Sequence, residues 1–202
     1  MDYIKVNNKR IAIDKNVLYL ESFNIGKISE IKRLKRLSNL RELYLEKNKI
    51  AEIERFDHLV NLKKLHLEAN NIIEIKGLDF LVNLIELELR GNQIVIIKGL
   101  YKLNNLKRLD LSVNRISKIE GLENLTNLEY LDLSHNQIVE IEGLERLKNL
   151  KILDLSNNPI LEVNGLENLN NLSQLTLNET KIPQKPNLDY LPKLENVYYK
   201  PL

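Results

Sequence analysis

Leucine recurs along this chain at one fixed interval. With Leu40 as position one of a unit, leucine returns at 62, 84, 106, 128, 150, 172 and 194. Positions four and six are leucine in every unit that begins between 40 and 172, with one solvent-compatible residue between them. This alternation predicts one short strand with one buried face in each unit. Successive strands are therefore predicted to stack in parallel.

The rest of each unit reads I-x-x-I-x-G-L-x-x-L-x-N, with apolar residues three positions apart. Ile138, Ile141, Leu144 and Leu147 are one such series. A spacing of three predicts tight turns or short 3-10 helices, because that helix has three residues per turn. No unit can bury its own leucines, so neighbouring units must cover them.

Position nine is asparagine in six consecutive units. The chain is predicted to turn inward there, which places backbone polar groups in the apolar interior. An asparagine amide offers two donors and an acceptor, so a stack of them can satisfy those groups. Phe23 and Thr180 take this position in the first and last units. An asparagine-lined binding site is the alternative interpretation. The predicted ladder is Asn48, Asn70, Asn92, Asn114, Asn136 and Asn158.

Position sixteen is glycine in five units, at residues 77, 99, 121, 143 and 165. This predicts a backbone angle that other residues adopt with difficulty. Arg55 has the same position in the second unit, which indicates that a positive φ is not obligatory there.

The pattern LxxLxLxxNxIxxIxGLxxLxN resembles the leucine-rich repeats, specifically the 22-residue subfamily typified by a regulatory subunit of type-one protein phosphatase. The segment ISKIEGLENLTNLEYLDLSHNQI (116–138) fits that subfamily, and the resemblance covers about residues 15–199. It implies an α/β right-handed solenoid, with a parallel sheet on the concave face and short helical or 3-10 turns on the convex face. The same unit occurs in phosphatase regulators, a spliceosomal scaffold subunit, dynein light chains and bacterial internalins. Internalin-type chains are exported and often have proline where this chain has glycine, which ranks them below the other groups.

Three regions are predicted. Residues 1–14 form a capping hairpin with an asparagine-centred turn, residues 15–193 form eight repeats, and residues 194–202 form a C-terminal capping strand. The segment LDYLPKLENVYY resembles the C-terminal cap of the subfamily, with Leu191, Pro192, Leu194 and Val197 in the matching places.

The solvent-facing strand positions three, five and seven are predicted to hold the functional residues. Four consecutive carboxylates at position five repel one another, which favours a basic partner; solvated surface aspartates are the alternative. Metal binding by this column is not expected, because its carboxylates lie side by side and do not converge. The resemblance to phosphatase regulators implies partner contacts for Tyr44, Glu88, Asp110, Asp132 and Asp154. The predicted protein-binding residues are Tyr19, Tyr44, His66, Glu88, Arg90, Asp110, Tyr130, Asp132 and Asp154.

Composition limits the compartment and the partners. The formal net charge is +2, which gives no argument for nucleic acid or an anionic membrane. The chain has no cysteine, and its first residues form neither a signal peptide nor a membrane span. These features predict a monomeric intracellular protein, in the cytoplasm or the nucleus, that binds no membrane.

The chemistry-bearing residues predict no enzyme, cofactor, metal or small-molecule substrate. The three histidines, His58, His66 and His135, lie at different repeat positions, and no nucleophile–base or metal-ligand spacing occurs. The leading hypothesis is a protein-binding scaffold, with a phosphatase as one candidate partner. The alternative is a ribonucleoprotein subunit that uses the basic run Lys32, Arg33, Lys35, Arg36 and Arg41, although no interleaved aromatic residues support nucleic-acid stacking.

Overall fold

The computed structural model describes residues 3–202, which form a solenoid around one parallel sheet. Nine strands of three residues stack in sequence order, and two further strands form a separate antiparallel hairpin. The predicted solenoid of single-strand units is therefore confirmed. The strands are β1 (Tyr3–Val6), β2 (Lys9–Ala12), β3 (Val17–Tyr19), β4 (Glu42–Tyr44), β5 (Lys64–His66), β6 (Glu86–Glu88), β7 (Arg108–Asp110), β8 (Tyr130–Asp132), β9 (Ile152–Asp154), β10 (Gln174–Thr176) and β11 (Asn196–Tyr198).

The leucines at position four lie directly opposite one another across the sheet. Leu18 pairs with Leu43, and Leu43 pairs with Leu65, so the first unit is longer than the one that follows it. The leucines at positions four and six, such as Leu87 and Leu89, are fully buried. On the outer side of each unit the apolar residues spaced by three are also buried, mostly in turns. Within residues 3–202, 3-10 helices occur only in the first unit, at Ile28–Glu30 and Leu34–Arg36.

The position-nine asparagines join each unit to the one before it. The Asn114 amide nitrogen donates to the Leu111 carbonyl of its own unit (3.0 Å) and to the Leu89 carbonyl of the preceding unit (3.1 Å). Its side-chain oxygen accepts a hydrogen bond from the backbone amide of Ile94 (3.0 Å). Each asparagine thus pairs three backbone groups that would otherwise be buried without partners.

A second asparagine series, the last residue of the repeat pattern, runs along position twenty-two; the pattern alone did not predict its role. Each of these side chains donates to a carbonyl 23 residues earlier; for example, Asn105 donates to Val82 (2.9 Å). At the C-terminal end, Lys193 donates to the side chain of Asn171 (2.7 Å). Because these residues are exposed, they add a weaker link than the buried series. Its members are Asn61, Asn83, Asn105, Asn127, Asn149 and Asn171.

The two ends of the solenoid are covered differently. Strands β1 and β2 form the hairpin, with Asn7 and Asn8 at positive φ in its turn, and Ile4 is fully buried. Reciprocal backbone hydrogen bonds between Lys5 and Lys32 dock it on the first unit. At the other end β11 pairs with β10, and Val197 is only partly buried. Met1 and Asp2, which the predicted hairpin of residues 1–14 includes, lie outside the described residues.

The expectation that position sixteen does not require a positive φ is wrong. Arg55 has a φ of 61° and Arg33, one unit earlier, has a φ of 72°, like the glycines of later units. Glycine meets a second requirement there. A Cβ at Gly77 would lie 2.6 Å from the Ile53 carbonyl oxygen of the preceding unit, which is too close for any side chain. The unit beneath Arg55 is the longer first unit, whose outer side folds as the two 3-10 helices.

Position eight has a positive φ in every unit, although its residue types vary widely. The left-handed conformation costs an L-residue about 1–2 kcal/mol, and it is least favourable for a β-branched side chain. Val113 has such a side chain, with a φ of 55° and 39% of its surface exposed. The sequence pattern alone does not predict this constraint. The residues are Ser22, Lys47, Ala69, Gly91, Val113, His135, Asn157 and Glu179.

Replacement of Asn114 by alanine tests the buried series. We expect Asn114→Ala to lower the free energy of unfolding by about 1–3 kcal/mol, because the Ile94 amide and two carbonyls lose their partner. Asn105→Ala is the matched control from the exposed series, and we expect it to cost less than about 1 kcal/mol. Urea denaturation followed by circular dichroism measures both. Equal losses would contradict the assigned difference in burial.

Replacement of Val113 by asparagine tests the strain at position eight. We expect Val113→Asn to raise the free energy of unfolding by about 1 kcal/mol, because asparagine tolerates the left-handed conformation. The reverse change at the same position of another unit, Asn157→Val, should lower it by a similar amount. The midpoint of urea unfolding gives both values. A Val113→Asn protein no more stable than the wild type would show that the backbone there is unstrained.

Candidate functional site

The solvent-facing side chains at positions three, five and seven of strands β3 to β10 form one surface, here called the open face. All nine residues predicted to bind a partner lie on it: seven at position five, Tyr130 at position three and Arg90 at position seven. The parallel register sets the position-five residues side by side. Since neighbouring strands are about 4.8 Å apart, the column of eight residues spans about 34 Å.

The N-terminal end of this column is an aromatic stack. The Tyr19 and Tyr44 rings are 4.8 Å apart, and the Tyr44 and His66 rings are 4.5 Å apart, with interplanar angles of 19° and 25°. Tyr19 is 58% exposed, so the stack ends in an accessible ring. The Tyr44 hydroxyl donates to Glu42 (2.8 Å), and burial together with this carboxylate raises the pKa of Tyr44. The stack presents an apolar surface with polar edges.

The central part of the column is acidic, and its aspartates are held by serines two residues later. One oxygen of Asp110 accepts hydrogen bonds from the Ser112 amide (2.8 Å) and hydroxyl (2.6 Å). Asp154 makes the same pair of bonds to Ser156, and Asp132 accepts from the Ser134 amide. Asp110 and Asp132 are less than one-tenth exposed. The interpretation of these residues as freely solvated is therefore wrong for Asp110 and Asp132, because the strand itself supplies their partners.

Glu88 lies between the aromatic and acidic parts of the column and is paired with a cation. The Arg108 guanidinium donates to Glu88 (2.5 Å) and lies 3.7 Å from the centre of the Tyr130 ring. Burial raises the pKa of Glu88 to about 7, against the opposing effect of Arg108. The Tyr130 hydroxyl donates to Asp132 (3.3 Å). These contacts join position three to position five across three strands.

Arg90 is exposed on the same surface, with a guanidinium nitrogen 3.4 Å from the Ser112 hydroxyl. It is one of three cations on the open face, with Lys64 and Arg108. Nine carboxylates share this surface, so its formal charge is −6, in a chain whose formal charge is +2. The open face is therefore strongly acidic relative to the rest of the molecule.

His66 is surrounded by glutamates that the sequence analysis did not assign to a site. Its Nδ1 is 3.2 Å from Glu68 and 4.0 Å from Glu46, and its Nε2 is 3.3 Å from Glu86. Burial lowers the pKa of His66, but the three carboxylates outweigh that effect and raise it overall. The register of the strands predicts this proximity, because residues at positions five and seven of adjacent units are neighbours on one face.

Part of the predicted basic run has partners within the chain. The Arg33 guanidinium lies 4.2 Å from the centre of the Tyr3 ring, and the Lys32 ammonium donates to the Ser29 carbonyl (3.2 Å). The contact between Arg33 and Tyr3 joins the hairpin to the first unit, whereas the bond from Lys32 lies within that unit. They leave Lys35, Arg36 and Arg41 as the remaining cations of the run.

No helix within residues 3–202 is long and apolar enough to cross a membrane.

Comparison with known proteins supports the repeat assignment. The family model described as Leucine Rich repeats (2 copies) matches residues 38–80, 82–124, 104–148 and 126–168. No curated protein matches the chain. Among solved structures the chain is similar to internalin C2 of Listeria monocytogenes, with 28% identity and a TM-score of 0.81 over 91% of this chain and 80% of that chain.

Two further similar structures are of chains much longer than this one. A leucine-rich repeat protein of Leptospira interrogans has 32% identity and a TM-score of 0.73, over 81% of this chain and 44% of that one. InlJ of Listeria monocytogenes, with 21% identity, shows the fold alone; its TM-score is 0.71, over 92% of this chain and 44% of its own. This chain thus spans less than half the length of both.

These relatives differ in type from the subfamily that the repeat pattern resembles most. The Listeria structures are of the internalin type, which the sequence analysis ranked below the phosphatase regulators. The matched family model indicates repeats and no catalytic family. Membership of the phosphatase-type subfamily and a cytoplasmic location remain predictions.

The raised pKa of Glu88 predicts a pH-dependent stability. Between about pH 4.5 and 7 the native protein keeps a proton on Glu88 that the unfolded chain has released, so the free energy of unfolding falls as pH rises. Burial also raises the pKa values of Asp110 and Asp154, which act in the same direction. We expect a loss of about 1–3 kcal/mol across this window from Glu88.

Urea denaturation at a series of pH values measures this loss, and Glu88→Gln should reduce its slope because glutamine does not titrate. Glu129→Gln is the control. Lys151 and Lys107 lower the pKa of Glu129 to about 2, so this carboxylate stays ionised throughout the pH window. A wild-type stability that rises from about pH 5 to 7 would contradict the raised pKa of Glu88.

Proposed function

Because the chain belongs to the leucine-rich repeat family, whose domains generally bind protein partners, we propose that it is a protein-binding scaffold. The open face, on the predicted concave side, is the binding surface. The partner is a folded protein or a helix that presents basic residues together with apolar contacts. This proposal rests on charge: the open face has a formal charge of −6, whereas the whole chain has a formal charge of +2.

Charge complementarity supports a basic partner. The position-five carboxylates from Glu88 to Asp154 stand on four adjacent strands, and like charges at that spacing repel. A partner with lysine or arginine side chains relieves that repulsion. Long-range attraction would also accelerate association and make it sensitive to salt.

The aromatic residues support an ordered anchor site. The Tyr19–Tyr44–His66 stack and the Tyr130 ring under Arg108 have rigid side chains that are already fixed by contacts within the sheet. Such groups lose little conformational entropy when a partner binds, and tyrosine is enriched at binding hot spots. The open face therefore combines apolar anchors with a charged centre.

The finer hypothesis is regulation of a phosphatase by a monomeric cytoplasmic scaffold. Two features support it. The repeat has the 22-residue pattern, and Tyr44, Glu88 and Asp110 are aromatic and acidic residues at strand positions, as in the phosphatase regulators that the pattern resembles. The ribonucleoprotein alternative rests on the basic run, in which Lys32 and Arg33 already have partners within the chain.

Neutralising the aspartate column tests the binding surface. The triple variant Asp110→Asn, Asp132→Asn and Asp154→Asn removes three charges but keeps an oxygen that can accept the serine hydrogen bonds. We expect it to weaken partner binding by about tenfold or more, because lost charge pairs at an interface cost about 2 kcal/mol or more. The partner is captured from an extract of the source cells by the immobilised chain, and its Kd is then measured by calorimetry.

The control variant has the same change in charge outside the sheet: Glu120→Gln, Glu140→Gln and Glu162→Gln. It should bind like the wild type. The proposal fails if the aspartate triple variant keeps full affinity, or if the outer variant alone loses it. A partner that is lost after ribonuclease treatment would support the ribonucleoprotein alternative.

A further inference from the structure

Three side chains on the open face converge in the manner of metal ligands. His66 lies on β5, Glu68 follows it by two residues, and Glu46 has the same position as Glu68 in the preceding unit. One potential ligand atom from each lies within 4.8 Å of the other two, and this is the one such group of three found in residues 3–202. The aspartate column differs, because its carboxylates run in parallel along successive strands.

Each of these side chains has a buried polar atom that lacks a partner. Glu46 Oε2, Glu68 Oε2 and His66 Nε2 are shielded from solvent and make no hydrogen bond within the described part of the chain. The Nε2 atom is 3.3 Å from Glu86 Oε1, but the alignment is not that of a hydrogen bond. Buried polar groups in folded proteins are nearly always paired, so this cluster lacks a binding partner.

The charge of the cluster favours a divalent cation over a proton. Glu46, Glu68 and Glu86 place three carboxylates around one imidazole, and the lysine of the open face, Lys64, contacts Glu86 alone among them, at 3.7 Å. A protonated His66 would neutralise one of the three charges. A divalent ion between Glu46, His66 and Glu68 would neutralise two of the charges. A carboxylate that turns to bind it through Oε2 would also pair an oxygen that has no partner within the described part of the chain.

We propose that Glu46, His66 and Glu68 form a binding site for a divalent transition-metal ion such as Zn²⁺. The ligands are one carboxylate oxygen from each glutamate and the Nδ1 atom of His66, the ring nitrogen that faces both. The Nε2–H group then points toward Glu86, which matches the carboxylate–histidine–metal arrangement common at such sites. Three protein ligands leave at least one position for water.

Ligand chemistry distinguishes this ion from calcium and magnesium. Imidazole with carboxylates suits Zn²⁺, Co²⁺ and Ni²⁺, whereas calcium requires six to eight oxygen ligands. Tetrahedral bonds of about 2.0 Å place ligand atoms about 3.3 Å apart. The His66–Glu68 distance of 3.2 Å already fits. The flexible Glu46 side chain has to bring its oxygen closer both to Nδ1, now 4.0 Å away, and to the Glu68 oxygen, which lies within 4.8 Å.

Calorimetric titration of the full chain, without a histidine tag, with Zn²⁺ near pH 7.5 tests the site. We expect one ion per chain, a higher unfolding temperature with Zn²⁺, and affinities for Ca²⁺ and Mg²⁺ at least a hundredfold weaker. Titration with Co²⁺ should produce visible d–d absorption bands. In the NMR spectrum, the imidazole resonances of His66 should shift, while those of His58 and His135 should not.

The variants Glu68→Gln and His66→Asn should each weaken Zn²⁺ binding by tenfold or more, and metal-free unfolding curves establish that both fold. Glu129→Gln, with the same loss of charge as Glu68→Gln at an exposed site, should bind Zn²⁺ normally. The proposal is overturned if the chain binds no Zn²⁺, if both ligand variants bind it like the wild type, or if Ca²⁺ binds as tightly. None of these results depends on a protein partner, so they leave the proposed scaffold function to its own test.

Discussion

At six consecutive junctions between units, two backbone carbonyls and one backbone amide lie in an apolar interior, where water cannot hydrogen-bond to them. The position-nine asparagine pairs all three, and two of the three belong to the preceding unit in the case of Asn114. Leaving such groups unpaired costs more free energy than a typical hydrogen bond contributes. The asparagine therefore fixes both the inward turn and the distance between units. The stacked leucines can then bury one another completely, which no single unit could do.

The same spacing gives the open face its character. Because consecutive units repeat in register, residues at one repeat position form a column in which neighbours are about 4.8 Å apart. Functional side chains that are 22 residues apart in the chain are therefore adjacent in the structure. Glu88 and Asp110 are a full repeat apart in the chain but lie opposite each other across neighbouring strands. A surface with a formal charge of −6 can thus form on a chain with a formal charge of +2. Its side chains are held by one another, as Asp110 is by Ser112, so the surface is ordered before any partner arrives.

The period made most of the fold predictable, because leucines at positions four and six have one compatible structure when they recur at a constant interval. The columns of the open face followed from the same register. The sequence did not reveal the positive φ at position eight, since Lys47, Ala69 and Val113 share no chemical property that would indicate it. The hydrogen bonds from Ser112 to Asp110 depend on rotamers, which residue types alone do not determine. Similarly, His66 and Glu46 lie at different repeat positions, and only the register across two strands brings them together.

Hydrogen exchange of the backbone amides tests the asparagine ladder most directly in the unmodified protein. The Ile94 amide donates to Asn114 and the Ile116 amide to Asn136, whereas the Leu89 amide donates to the Asp110 carbonyl within the sheet. If the asparagines hold the units together, the two isoleucine amides exchange as slowly as that of Leu89, through unfolding of the solenoid. Isoleucine amides that exchange several orders of magnitude faster, at rates near those of exposed loops, would contradict the account.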